Sequence, residues 1–194
     1  MSDATDPEPF TSDDLRELSR FVLERWTEGV DRDWRARAGT LEWNCLYTAD
    51  HLIDCVFSYA FFLASRRLGT IPPFGELHAL AGAAPLDLID GLRASCTMLS
   101  GVIKAAEPGT RAVLWGLPHL EPGSPDDFAA RGGHELILHA HDVCTGLGVP
   151  FDPPRDLCEG LRAATRAWPV GPEIEPTGDA WSDLLERSGR RRHS

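Results

Sequence analysis

Four stretches of this chain place apolar residues at intervals of three and four, and each is bracketed by a capping residue, a proline or a glycine. That combination of period and punctuation points to helices that bury one face against each other. Leu15, Leu18, Val22 and Trp26 form the first stripe. With Ser12 at its start and Asp13 and Asp14 in the first turn, it predicts a helix over 12–30. Asn44 caps a second helix over 44–68, with Gly69 as its stop. Pro85 opens a third over 86–106, closed by Pro108-Gly109. Ser124-Pro125-Asp126-Asp127 starts a fourth over 125–147, stopped by Gly148, and Gly132-Gly133 within it predicts a kink or a close helix approach. Pro153-Pro154 opens a fifth helix to about Trp168, and a short one covers 179–187. Arg111 to Trp115 reads as briefly extended, and no alternating pattern predicts a sheet. The expected fold is all-α, a bundle of four long helices with short additional C-terminal helices. Residues 1–11 read as a disordered lead, 12–190 as the bundle and 191–194 as a tail.

At 194 residues the chain is long enough for one well-filled core. Its formal net charge of -11 would be repelled by a phosphate backbone, so nucleic acid is not an expected partner. The one basic cluster, Arg187 to Arg192, reads as a solvated tail. Cys45, Cys55, Cys96, Cys144 and Cys158 are odd in number and form no C-x-x-C pair, which predicts free thiols in a reducing cytoplasm. The acidic N-terminus is no signal peptide, and the apolar run Val56 to Ala64 is too short to span a bilayer. The expectation is a cytoplasmic monomer or homodimer that acts on a small molecule without a membrane or nucleic-acid partner.

The second helix is apolar over most of its surface, yet Thr48, His51, Cys55 and Ser58 make a polar stripe along it, with Asp54 beside them. Buried polar groups need partners. The fourth helix offers them: in His134-Glu-Leu-Ile-Leu-His-Ala-His-Asp142, the residues Glu135, His139 and Asp142 share one face. A carboxylate and an imidazole one turn apart can bind one metal ion, with His51 as the third ligand from the facing helix. Two imidazoles and a carboxylate leave zinc an open position for water or substrate. The competing reading is a buried Glu135–His139 hydrogen bond with His51 as a satisfied core histidine. His134 and His141 lie on a different face and read as structural or surface residues, and His78 and His119 as loop residues without evident partners.

Trp43-Asn44, Thr48, His51 and Asp54, with Tyr59-Ala60 and Leu63-Ala64, resemble the second helix of the DinB/YfiT-like superfamily. Glu135-Leu-Ile-Leu-His139-Ala-His-Asp142 resembles its E-x-x-x-H-x-x-D motif, and Trp181-Ser-Asp-Leu-Leu185 with Ser188-Gly-Arg190 resembles a W-x-x-L-L…G-R ending. Within that superfamily the chain resembles the N-terminal domain of mycothiol-dependent maleylpyruvate isomerase, over about residues 12 to 190. It implies an up-down-down-up four-helix bundle and a divalent metal, often zinc in the family, on His51, Glu135 and His139. It also implies a thiol S-transferase or isomerase that uses mycothiol as co-substrate on a small electrophile. That enzyme has a further C-terminal domain, and this chain ends soon after the bundle, so maleylpyruvate itself is not the expected substrate. Asp142 is the candidate catalytic residue, to orient a ligating histidine or accept a proton. A hydrolase or lyase using activated water, or a non-catalytic small-molecule-binding bundle, are the alternative functions.

Overall fold

The computed structural model describes residues 9–114, 122–166, 168 and 174–190. Among these the chain forms six helices: α1 (Ser12–Glu28), α2 (Cys45–Ser65), α3 (Pro85–Lys104), α4 (Pro125–Leu147), α5 (Arg155–Ala164) and α6 (Ala180–Arg187). Two residue pairs, β1 (Ala112–Val113) and β2 (Pro122–Gly123), form an antiparallel ladder. The molecule is mostly helical, and the brief extension anticipated near Arg111 is β1.

The helix starts follow from reciprocal caps. Asp14 donates its N–H to Thr11 Oγ1 at 3.3 Å, and Asp14 Oδ2 accepts from the Thr11 N–H at 2.7 Å. The cap is therefore Thr11 rather than Ser12, because the box needs an acid three residues beyond the cap and Asp14 stands there. Ser124 and Asp127 repeat the arrangement at the head of α4. Asn44 Oδ1 accepts the Tyr47 N–H at 2.8 Å and starts α2.

α2 stops at Ser65, short of Gly69, because Arg66 adopts a left-handed φ of 53°. The chain then turns toward β1, and Val113 donates its N–H to the Arg67 carbonyl at 2.6 Å. α4 runs unbroken through Gly132-Gly133. A Cβ at Gly132 would stand 2.6 Å from Leu99 Cδ2, and one at Gly133 2.8 Å from Phe10 Cε1. The glycines thus mark close packing. α5 ends at Ala164, before Trp168, and Arg187 donates to the Thr165 and Trp168 carbonyls at 3.2 and 3.0 Å. Arg187 and Arg190 of the basic cluster are therefore tied into the fold, since free carbonyls and a buried carboxylate attract their guanidinium groups.

α1 and α2 each pack against both α3 and α4, and α5 and α6 pack on each other beside α4. Leu18 and Trp26 of α1, Leu52 of α2, Leu92 and Leu99 of α3 and Leu136 of α4 are fully buried in the shared core. Phe10 joins them at 2% exposure. The stretch between α1 and α2 is pinned to the bundle by Trp34, whose indole N–H donates to the Gly29 carbonyl at 3.0 Å and whose ring meets Trp26 at 5.5 Å. No described helix is long and apolar enough to cross a membrane.

Candidate metal centre

α2 and α4 pack against each other, and that contact brings the three candidate ligands together. The His51 ring stands perpendicular to the His139 ring with centroids 5.2 Å apart. His51 therefore lies on the side of α2 that faces α4. On α4, His139 Nε2 lies 3.4 Å from Glu135 Oε2, as the one-turn spacing requires. His139 is 8% exposed, and the Trp43 ring stands 5.0 Å from His51 and 6.5 Å from His139.

The other oxygen of Glu135 is held differently. Arg131 Nη2 lies 2.8 Å from Oε1, and the Tyr59 hydroxyl donates to the same atom at 3.5 Å. Arg131 Nε in turn donates to the Tyr59 oxygen at 3.1 Å. Burial alone would raise the Glu135 carboxyl, but the imidazole of His139 and the Arg131 guanidinium outweigh it and hold the group down at about 2. Arg131 was missed in the sequence reading, although it stands four residues before Glu135 on the same helical face.

Asp142 is 1% exposed. Arg190 clasps it, with Nε at 3.0 and 2.9 Å from its two oxygens and Nη2 at 2.7 Å from Oδ2. On its other side, Asp142 Oδ2 lies 3.5 Å from His139 Nδ1, a close charge contact whose alignment falls short of a hydrogen bond. Burial would lower the His139 imidazole, but the carboxylates of Asp142 and Glu135 outweigh that and lift it above its ordinary value. His51 goes the other way, lowered by burial and then by the positive charge of His139.

Cys55 Sγ lies 3.5 Å from His51 Nε2. Its thiol is pushed far up by burial and by the Glu135 charge, so it stays protonated in this arrangement. The other four cysteines are buried, and none of the five is in a disulfide. His134 packs its ring 6.1 Å from Trp168 and is pushed down to about 4 by burial, while His141 meets Trp181 at 5.3 Å. His78, read as partnerless, instead contacts Asp50 at 2.8 Å and Glu76 at 3.0 Å, because the loop before α3 folds back along α2. His119 lies outside the described residues.

Among the described residues no group of three or more His, Cys, Asp and Glu side chains is arranged as a cation cage. His51 Nε2 faces Cys55, and His139 and Glu135 close on each other as an acid–base pair. The donor chemistry nonetheless suits a divalent cation: two imidazoles and one carboxylate, with the carboxylate anchored through Oε1 so that Oε2 remains toward His139. Set against known protein families, curated proteins and solved structures, the chain matches none.

Proposed function

We propose that this chain is a metal-dependent enzyme of the DinB-like superfamily, an up-down-down-up four-helix bundle in which His51, Glu135 and His139 hold a divalent cation, zinc by preference. The observation that carries the reading is the meeting of His51 with the facing pair Glu135 Oε2 and His139 Nε2, 3.4 Å apart, behind Trp43. Bound zinc would supply a Lewis acid that lowers the pKa of a coordinated thiol or water. The reaction class we favour is S-transfer or isomerisation of a small electrophile with a low-molecular-weight thiol of the mycothiol type.

The chain's own residues have defined work in this reading. Arg131 and Tyr59 fix Glu135 through Oε1. Asp142 orients His139 from behind, and with both its oxygens on Arg190 it is a poor proton acceptor. Trp43, 38% exposed, shields the ligands from bulk water while leaving an edge for substrate.

A second reading draws on the Arg131–Glu135 ion pair. There the carboxylate is already neutralised, and the network is a buried polar cluster inside a small-molecule-binding bundle. Titration of mycothiol into zinc-loaded protein separates the cases. Zinc-dependent thiol binding supports the transferase. Zinc binding without thiol binding leaves water-activating hydrolase or lyase chemistry. Binding of neither removes the metalloenzyme reading.

A further inference from the structure

We propose that the cleft along the α1–α3 seam binds a free long-chain carboxylate, its chain laid between the two helices and its acid group at the end marked by Arg16, Ser100 and Lys104. The seam leaves a recess of about 930 Å³, a size ordinary for a small-molecule site. α1 and α3 turn Leu15, Leu18, Leu92 and Leu99 into the core. The flank of the same seam carries Ser19, Cys96, Thr97, Ser100 and Gly101, which are too small to close it. Leu23 adds an apolar wall, and the aliphatic stems of the arginines along the rim extend it. From Arg16 to Thr27 the cleft follows α1 for about 17 Å at ~1.5 Å per residue, the reach of a saturated chain of a dozen carbons. A second copy of this chain would present the same recess and nothing to fill it.

The two ends of the cleft differ. The helices run antiparallel here, since Ser19 hydrogen-bonds the Cys96 thiol while Leu15 and Leu99 both approach Gly132 of α4. Arg16 is therefore level with the last turn of α3, where Ser100 and Lys104 stand. Ser100 is 5% exposed, and its hydroxyl is buried in the cleft lining with no hydrogen-bond partner among the described residues. A buried hydroxyl of this kind points to an acceptor that completes it. Lys104, the chain's only lysine, lines the same end and makes no ion pair among the described residues. Arg16 and Arg20 do have acidic partners, Asp13, Glu17 and Glu24, at 3.3 to 3.8 Å. Those side chains are 48% to 77% exposed, and such pairs contribute little and exchange readily. At the far end Arg25 and Arg93 are tied to Glu28 and Asp90. In a chain of formal net charge -11, the Lys104 end is thus a local place for an anion.

This seam shares no helix with the α2–α4 seam, so the proposal stands apart from the metal reading. Equilibrium dialysis with radiolabelled dodecanoate, dodecanol and acetate, each kept below its micellar or solubility limit, tests it. Wild type should take up one dodecanoate per chain, dodecanol about tenfold more weakly, and no acetate. Lys104→Gln should bring dodecanoate down to the dodecanol level and leave dodecanol unchanged. Ser100→Ala should weaken dodecanoate without lowering the melting temperature, because the free protein loses only an unpartnered hydroxyl. Gly101→Leu, whose side chain would grow into open space along the cleft, should block both ligands. Thr97→Leu, exposed on the same wall, carries the same expectation if that variant does not fold. No uptake, several molecules per chain, equal affinity for dodecanoate and dodecanol, undiminished dodecanoate binding in Lys104→Gln, or unblocked binding in a folded leucine variant would overturn the proposal.

Discussion

Arg131 holds Oε1 of Glu135 at 2.8 Å while Oε2 of the same carboxylate faces His139 Nε2 at 3.4 Å, so one carboxylate serves two partners at once. The ion pair fixes the orientation of the side chain and leaves one oxygen directed at His139. A partner that orients a ligand contributes to affinity without touching the ion.

Replacing Arg131 by Met should therefore act twice. Zinc affinity should fall about 10- to 100-fold, the range for residues that support a ligand. The metal-free protein should lose on the order of 3 kcal/mol, because Glu135 is left buried with less compensation. Urea unfolding with and without zinc measures both. A variant with wild-type zinc affinity would make Arg131 a purely structural residue.

The loop before α3 is clipped to α2 by Asp50 and Asp54, which accept the Ala79 and Leu77 N–H groups at 2.7 and 2.8 Å. His78 joins this clip, and hydrogen bonds to Asp50 and then Glu76 raise its imidazole above the ordinary value. A raised imidazole supports the docked loop below its unfolded value near 6.5 and loses that support as pH rises through the folded value. Amide exchange protection factors at Leu77 and Ala79 should thus be higher at pH 6 than at pH 8.5. His78→Gln should abolish the difference, and equal protection at both pH values in wild type would refute the clip.

At Gly146 α4 passes close to the connection before α2, and a Cβ there would overlap the Arg37 carbonyl oxygen and Cys45 Sγ. Backbone cannot yield as a flexible side-chain tip can. Gly146→Ala should cost about 3 kcal/mol. Gly101, inside α3 with nothing within 4 Å of its would-be Cβ, gives the opposite expectation. There Ala should add up to about 1 kcal/mol of stability. Thermal melts of the two variants should move in opposite directions, and a shared sign would contradict this packing.

The helices were legible because their ends carry chemistry: Asn44, Ser124 with Asp127, Pro85 and Gly148 each stand where a helix begins or stops. The α2 terminus was not, because Arg66 takes a left-handed turn that its own residue type does not announce and that follows from pairing with β1. Within the site, helical spacing alone set Glu135 beside His139, and the polar stripe on α2 singled out His51. The same spacing held Arg131 in plain view. Arg190 stood out in the G-R ending, but its pairing with Asp142 was not legible, since the two are 48 residues apart and local periodicity says nothing about such a pairing. His78 was obscure for the same reason, its partner Asp50 lying on another element.

The central claim, that His51, Glu135 and His139 hold a divalent cation, is tested most directly by calorimetric titration of zinc into metal-stripped protein and into Glu135→Gln. The substitution keeps the shape and removes the only anionic donor among the three. Wild type should bind one zinc per chain, and Glu135→Gln should bind at least about 10- to 100-fold more weakly. The wild-type melting temperature should rise with zinc and fall with chelator, because a ligand that binds only the folded state stabilises it. No zinc binding by wild type, or equal binding by both proteins, would contradict the account.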